Sequence, residues 1–177
     1  MADPFTATVS IAAVVGSAST ALYVNRRQRA LTKHLAEDSA RRAGRDVVRI
    51  RIQDCASASQ LVALRSLEIR RVLPVMGTAN LAIVYLEERY DLLSDAADAV
   101  VQTWSALVGV AGSDCVSAIA AEAEQLIESI ETARLAWLMS GPDRSVQTAE
   151  VLLRTLGELA MSGNGCTIAM QGLLAQP

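Results

Sequence analysis

The chain has little of what catalysis and cross-linking draw on. It holds one histidine, His34, and three cysteines, Cys55, Cys115 and Cys166, which lie far apart and form no Cys-x-x-Cys pair. An odd set at such spacing reads as neither a disulfide framework nor a zinc site, and points to reduced thiols. Cys166, within Gly163-Asn164-Gly165-Cys166-Thr167, reads as the exposed one, on a loop. Glu-x-x-His, the metal signature of helical bundles, is absent, as are a glycine-rich phosphate loop and a Gly-x-Ser-x-Gly elbow. His34 stands one helical turn from Glu37 in a basic stretch and reads as a solvated residue rather than a base. No cofactor, metal or catalytic group is therefore expected, and the chain reads as a non-enzyme.

Aromatic residues are also scarce, at 3% of 177 residues, and proline occurs four times. A core must then be assembled from Leu, Ile, Val and Ala, and a sequence rich in Ala and Leu and poor in proline is helix material. The expected fold class is all-α. Lysine is nearly missing: every basic residue except Lys33 is arginine. In so alanine-rich a chain that reflects coding bias more than a demand for guanidinium chemistry.

Charge is missing from one long stretch. Between Asp3 and Arg26 no residue carries a formal charge, and those 22 residues would rise about 33 Å as a helix, enough for the ~30 Å hydrocarbon core of a bilayer. Thr6 to Val24 is built from Ala, Ser, Thr, Gly and Val, and its hydroxyls can return to carbonyls one turn back. Small residues at Ala12, Gly16 and Ser19 would let two such helices approach closely. A cleaved signal peptide would carry its basic residues before the apolar run, whereas here they follow it. A buried soluble helix would show a polar stripe, and this segment shows only small hydroxyls. The reading is a membrane anchor. Positive charge stays inside, so the N-terminus is expected outside and everything from Asn25 onward in the cytoplasm of a single-pass cell-membrane protein.

Arg26, Arg27, Arg29 and Lys33 are the candidate contacts to lipid headgroups. Asn25 to Ile52 carries nine basic and three acidic residues, whereas Gln53 to Pro177 carries seven basic and fifteen acidic. A basic collar thus precedes an acidic body. The collar is drawn to anionic lipid, and the body would repel the phosphates of nucleic acid.

The expected organisation is a tail and transmembrane anchor over 1–25, a basic juxtamembrane helix and connector over 26–55, and a cytoplasmic helical bundle over 56–177. The anchor helix should continue to about Arg42, with Gly44 its first stop. Asp46 to Asp54 alternates Val48, Ile50 and Ile52 with polar residues, a strand pattern without a partner, read as a helical turn or an extended connector. A helix is expected over Gln60 to Leu73, with Leu61, Leu64, Ile69, Val72 and Leu73 inward, followed by a loose turn at Gly77. Another runs from Thr78 or Asn80 to about Val108, with Val84, Val100 and Trp104 inward and Glu87, Glu88, Asp91, Asp95 and Asp98 outward. In the next, opened by Ser113 or Asp114, Val116, Ile119, Ala123, Leu126, Ile130, Ala133 and Trp137 step by three and four, a heptad packing seam. Gly141-Pro142-Asp143 reads as a turn. The last long helix, Ser145 to Met161, is expected to break at Gly163-Asn164-Gly165, leaving a short one over Thr167 to Leu174.

These elements amount to an N-terminal transmembrane helix that continues into a basic juxtamembrane helix, then an up-and-down bundle of about four helices. Trp104 and Trp137, on adjacent apolar faces, are placed where they could meet. The functional expectation is a membrane protein whose cytoplasmic bundle binds a protein partner or another copy of itself. The alternative is a bundle that holds a small apolar ligand or lipid, as sensor or carrier, in a cavity lined by Val84, Val100, Leu126 and Ile130.

Overall fold

The computed structural model describes residues 4–74, 80–140 and 146–175, with side chains described over 25–74, 84–140 and 148–175. The described chain is all helix, with no strand. The elements are α1 (Pro4–Val72), α2 (Asn80–Val110), the short α3 (Ser113–Ser117), α4 (Ala120–Ser140) and α5 (Val146–Leu174). Two compact units divide the chain, Met1–Asp46 and Val47–Pro177. The turns expected at Gly77 and at Gly141 to Asp143, and the side chains of the Thr6 to Val24 segment, lie outside the described residues.

In the first unit α1 is exposed on every side: each residue from Asn25 to Asp46 is open to solvent, Leu31 and Leu35 included. The second unit is a helical bundle whose members share one periodicity. On α1 the buried residues Ile52, Cys55, Ser59, Val62, Ser66, Ile69 and Leu73 step by three and four. The same step runs through Leu86, Tyr90, Leu93, Ala97, Val100, Trp104 and Leu107 on α2, and through Leu152, Leu156, Leu159, Gly163, Cys166 and Met170 on α5. Seams of average period 3.5 are the pattern that suits helices packed side by side at shallow angles. Followed back toward the N-terminus, the α1 seam meets half-buried Val48 and then Arg45 and Arg41. Arginine cannot be buried unpaired there, so the compact unit ends where the apolar seam ends.

Contacts set the arrangement. Glu68 of α1 reaches Arg89 of α2 at 3.6 Å, while Cys55, earlier in α1, faces Thr103, later in α2. Arg70 lies against Gly157 of α5, whereas Ala56 accepts a hydrogen bond from Thr167 at 3.4 Å. Tyr90 stacks on Trp137 and Asp98 binds Arg134 of α4. Each of these pairs therefore runs antiparallel. α4 and α5 are also joined, through Ser129 and Ser162 at 2.9 Å, and the other pairings make them antiparallel too.

Four expectations are corrected and one reading left open is decided. The helix runs straight through Gly44, because one glycine costs only about 1 kcal/mol among good helix formers. Asp46 to Asp54 is helix, the first of its two readings: Val48 and Ile52 lie one turn apart on the seam while Ile50, 55% exposed, points away, so the alternation came from two helical faces. Leu61 and Leu64 are exposed, at 46% and 51%, and Val62, Ala63 and Ser66 take the interior. Last, α5 does not break at Gly163-Asn164-Gly165. Gly163 sits where α5 crosses α1, and a Cβ there would stand 2.8 Å from the Ser59 carbonyl oxygen and 3.1 Å from the Ala63 Cβ. Close backbone approach selects glycine at that point, and packing of the flanking turns outweighs its helix cost. The expected helix from Ser113 is divided at Ala118–Ile119, where the Ile119 N–H donates to the Val116 carbonyl at 3.2 Å.

Two glycines two residues apart should therefore respond oppositely to alanine. Gly163→Ala is expected to lose about 1–3 kcal/mol through overpacking against the α1 backbone. Gly165→Ala, with nothing within 4 Å of its added Cβ, should be neutral or gain up to about 1 kcal/mol. Urea unfolding followed by circular dichroism measures both, and equal responses would refute the α1–α5 crossing.

Candidate functional site

Arg26, Arg27, Arg29 and Lys33 all stand exposed on α1. Lys33 and His34 both approach Glu37, at 3.8 and 3.9 Å, with their side chains 78% exposed. Pairs this open contribute little to stability, so the cations keep their freedom to meet an anionic surface. Among the described residues no ion pair engages Arg26, Arg27 or Arg29.

The seam residues fall on two elements and the joint between them. Val116 is half-buried on α3, Ile119 is buried at the joint, and Ala123, Leu126, Ile130 and Ala133 are buried on α4. Half-buried Trp137 lies flat on Tyr90, with ring centroids 4.1 Å apart and planes 2° from parallel. Tyr90 is thus the ring partner on α2, where Trp104 had been the expected one. Burial lifts the Tyr90 hydroxyl above its ordinary pKa, against the pull of the nearby Arg134 guanidinium.

Between α1, α2 and α5 the bundle carries a belt of small polar side chains. Ser59 donates to the Cys55 carbonyl at 2.9 Å and lies 3.6 Å from the Cys166 sulfur. Ser66 donates to Val62, Thr167 to Gly163, and Thr103 to Ala99 and Val100. Each buried hydroxyl is satisfied by its own helix, so the belt is compact and water is not needed to fill it. Cys166, expected on a loop, is 1% exposed because α5 continues through it. Burial raises the Cys55 thiol to about 11 and also raises Cys166; the hydroxyls of Thr103 and Ser59 oppose this, and the neighbouring sulfur and Asp54 add to it at Cys55. Thiols held protonated and shielded make poor nucleophiles and poor metal ligands.

The bundle also carries concavities on its outside. On the outside of the α4–α5 pair an open groove of about 540 Å³ is lined by Glu122, Glu128 and Glu158 with Ser129, Ser162 and Thr155. At the other end, Glu68, Arg71, Tyr85 and Arg89 border a hollow of about 200 Å³. There the Arg89 guanidinium sits 4.9 Å over the Tyr85 ring, and its buried Nε has no hydrogen-bond partner among the described residues. No group of three or more His, Cys, Asp or Glu able to hold a metal ion occurs among the described residues. Of the residues envisaged around a ligand, Val84 is 64% exposed, whereas Val100, Leu126 and Ile130 are buried at 2% or less. Beside Ile130 the free space is about 10 Å³, on the scale of one water molecule.

Sequence periodicity had pointed to the whole α4 seam but to only part of its counterparts, such as Ile69 and Leu73 on α1 and Val100 and Trp104 on α2. The signal was present: Ile52 to Leu73 has the same three-four step, hidden because its members include Cys55, Ser59 and Ser66. Comparison with protein-family models, with curated proteins and with solved structures found no match to this chain.

The Cys55 environment has a pH consequence. Its thiol titrates higher folded than the ordinary 9.0, so its contribution is whole below pH 9 and is lost as pH rises toward 11, where the unfolded chain ionises first. Under reducing conditions urea stability should fall by about 2 kcal/mol over that interval. A Cys55→Ala chain should show a flatter dependence; equal slopes would mean that the thiol is solvated.

Proposed function

We propose that the chain is a single-pass membrane protein without enzymatic activity, held by Thr6 to Val24 with its N-terminus outside, whose cytoplasmic bundle associates with a protein partner or with itself. The observation that carries this is the collar. From Asn25 to Asp46 α1 is exposed on every side and carries Arg26, Arg27, Arg29 and Lys33 directly after an uncharged run long enough to span a bilayer. A helix bare on all faces gains nothing from tertiary burial, whereas anionic headgroups would attract each nearby cation by about 1 kcal/mol. Among the described residues no helix is long and apolar enough to cross a membrane, so the span rests on the composition of Thr6 to Val24. The bundle is attributed to association because its interior is closed and its exterior carries large apolar side chains, Leu135, Leu138 and Met139 among them.

Alkaline carbonate extraction of membranes, with protease added to intact spheroplasts, tests the address using a C-terminal tag. The tag should pellet with membrane and resist protease until lysis; a carbonate-soluble full-length chain would overturn the proposal. Replacing Arg26, Arg27 and Arg29 by Gln should leave the chain in the membrane but expose the tag of a measurable fraction to external protease. Unchanged protection would show that the collar does not set orientation.

A further inference from the structure

We infer that the outward face of α1 pairs with the same face of a second copy in an antiparallel arrangement. The inference rests on the self-association branch of the proposed function and concerns only the compact unit Val47–Pro177. In a bundle helix the positions farthest from the core are ordinarily polar, as on α2, where Glu87, Glu88, Asp91, Asp95 and Asp98 are exposed. On α1 they are not. Val47, Ile50, Leu61 and Leu64 are 46%, 55%, 46% and 51% exposed, and with Asp54 and Ser57 between them they step by three, four, three, four and three. A second heptad seam therefore runs along the back of α1, opposite the buried one.

This outer seam reads the same in both directions: two apolar residues, two polar, two apolar. Turned antiparallel about the point between Cys55 and Ala56, it places Val47 on Leu64 of the second copy, Ile50 on Leu61, and Asp54 on Ser57. Apolar layers then meet apolar layers, and the carboxylate meets a neutral side chain in place of a second carboxylate. A parallel pair would stack Asp54 on Asp54 in the contact, where like charges repel. Asp54 is held by Arg51 at 3.5 Å, and Ser57 donates to the Gln53 carbonyl, so both polar residues already sit on this face. Charge and pattern together select a two-fold, self-complementary contact. Four half-exposed side chains supply a few hundred Å² per copy, less than the ~800 Å² per partner of a standard stable interface, so the pair is a reversible one.

Sedimentation of the full chain in detergent over a range of concentrations tests the contact. Wild type should show a reversible monomer–dimer equilibrium. Leu61→Gln should weaken it about tenfold or more, while Val108→Gln, at a comparably exposed position of α2, should leave it unchanged; circular dichroism checks that both stay folded. Orientation is read in a Cys115→Ser background, by mixing chains carrying Val47→Cys with chains carrying Leu64→Cys and oxidising mildly. Cross-links between the two variants are expected. A monomer at every concentration, a Leu61→Gln chain that dimerises like wild type, or cross-links chiefly between two Val47→Cys chains would each overturn the inference. Carbonate extraction reads the membrane anchor separately, so the failure of either idea is recognised without the other.

Discussion

The rest of the bundle depends on how closely α1 and α5 can approach at Ser59 and Gly163. A Cβ at position 163 would stand 2.8 Å from a backbone oxygen of α1, so the two helices meet nearly backbone to backbone. That proximity brings Ser59 to 3.6 Å from the Cys166 sulfur and lets Thr167 reach the Ala56 carbonyl. It also brings the larger Ile69, Leu156, Leu126 and Val100 into one buried cluster. Small residues on one side of the square leave room for large ones on the other. A chain with few aromatics fills its interior this way, by approach rather than by bulk.

The same seam explains where the compact unit stops. Hydrophobic burial along α1 proceeds from Leu73 to Ile52 and half-buried Val48 and then meets Arg45 and Arg41. Beyond that point the helix continues without burial, and its character changes from structural to electrostatic. The basic collar and the acidic bundle are thus two physical regimes of one helix-rich chain. Cations exposed on all sides suit an anionic surface, and a closed, seam-packed bundle suits contacts made on its outside.

Periodicity was most legible where the seam is made of large apolar residues. On α4, Leu126, Ile130 and Trp137 mark the step at sight, and the structure buries Leu126 and Ile130 in the core and lays Trp137 against Tyr90. On α1 the same step passes through Cys55, Ser59 and Ser66, and the larger Leu61 and Leu64 draw attention to the opposite face. Glycine misled in the same manner: Gly44, Gly163 and Gly165 resemble stops because their conformational cost is local, whereas the packing that outweighs it comes from a distant segment.

Composition and pattern by themselves determined that the chain is helical, that its charge divides into a basic collar and an acidic body, and that no recognised catalytic or metal motif is present. These are properties of residue type and local spacing, which need no partner segment to be expressed. Tertiary structure alone decided which of two heptad faces on α1 turns inward, that glycine at 163 is a contact rather than a break, and that Cys166 is buried. Each of those depends on residues about a hundred positions apart in the chain. No window of a few helical turns contains both sides of such a contact.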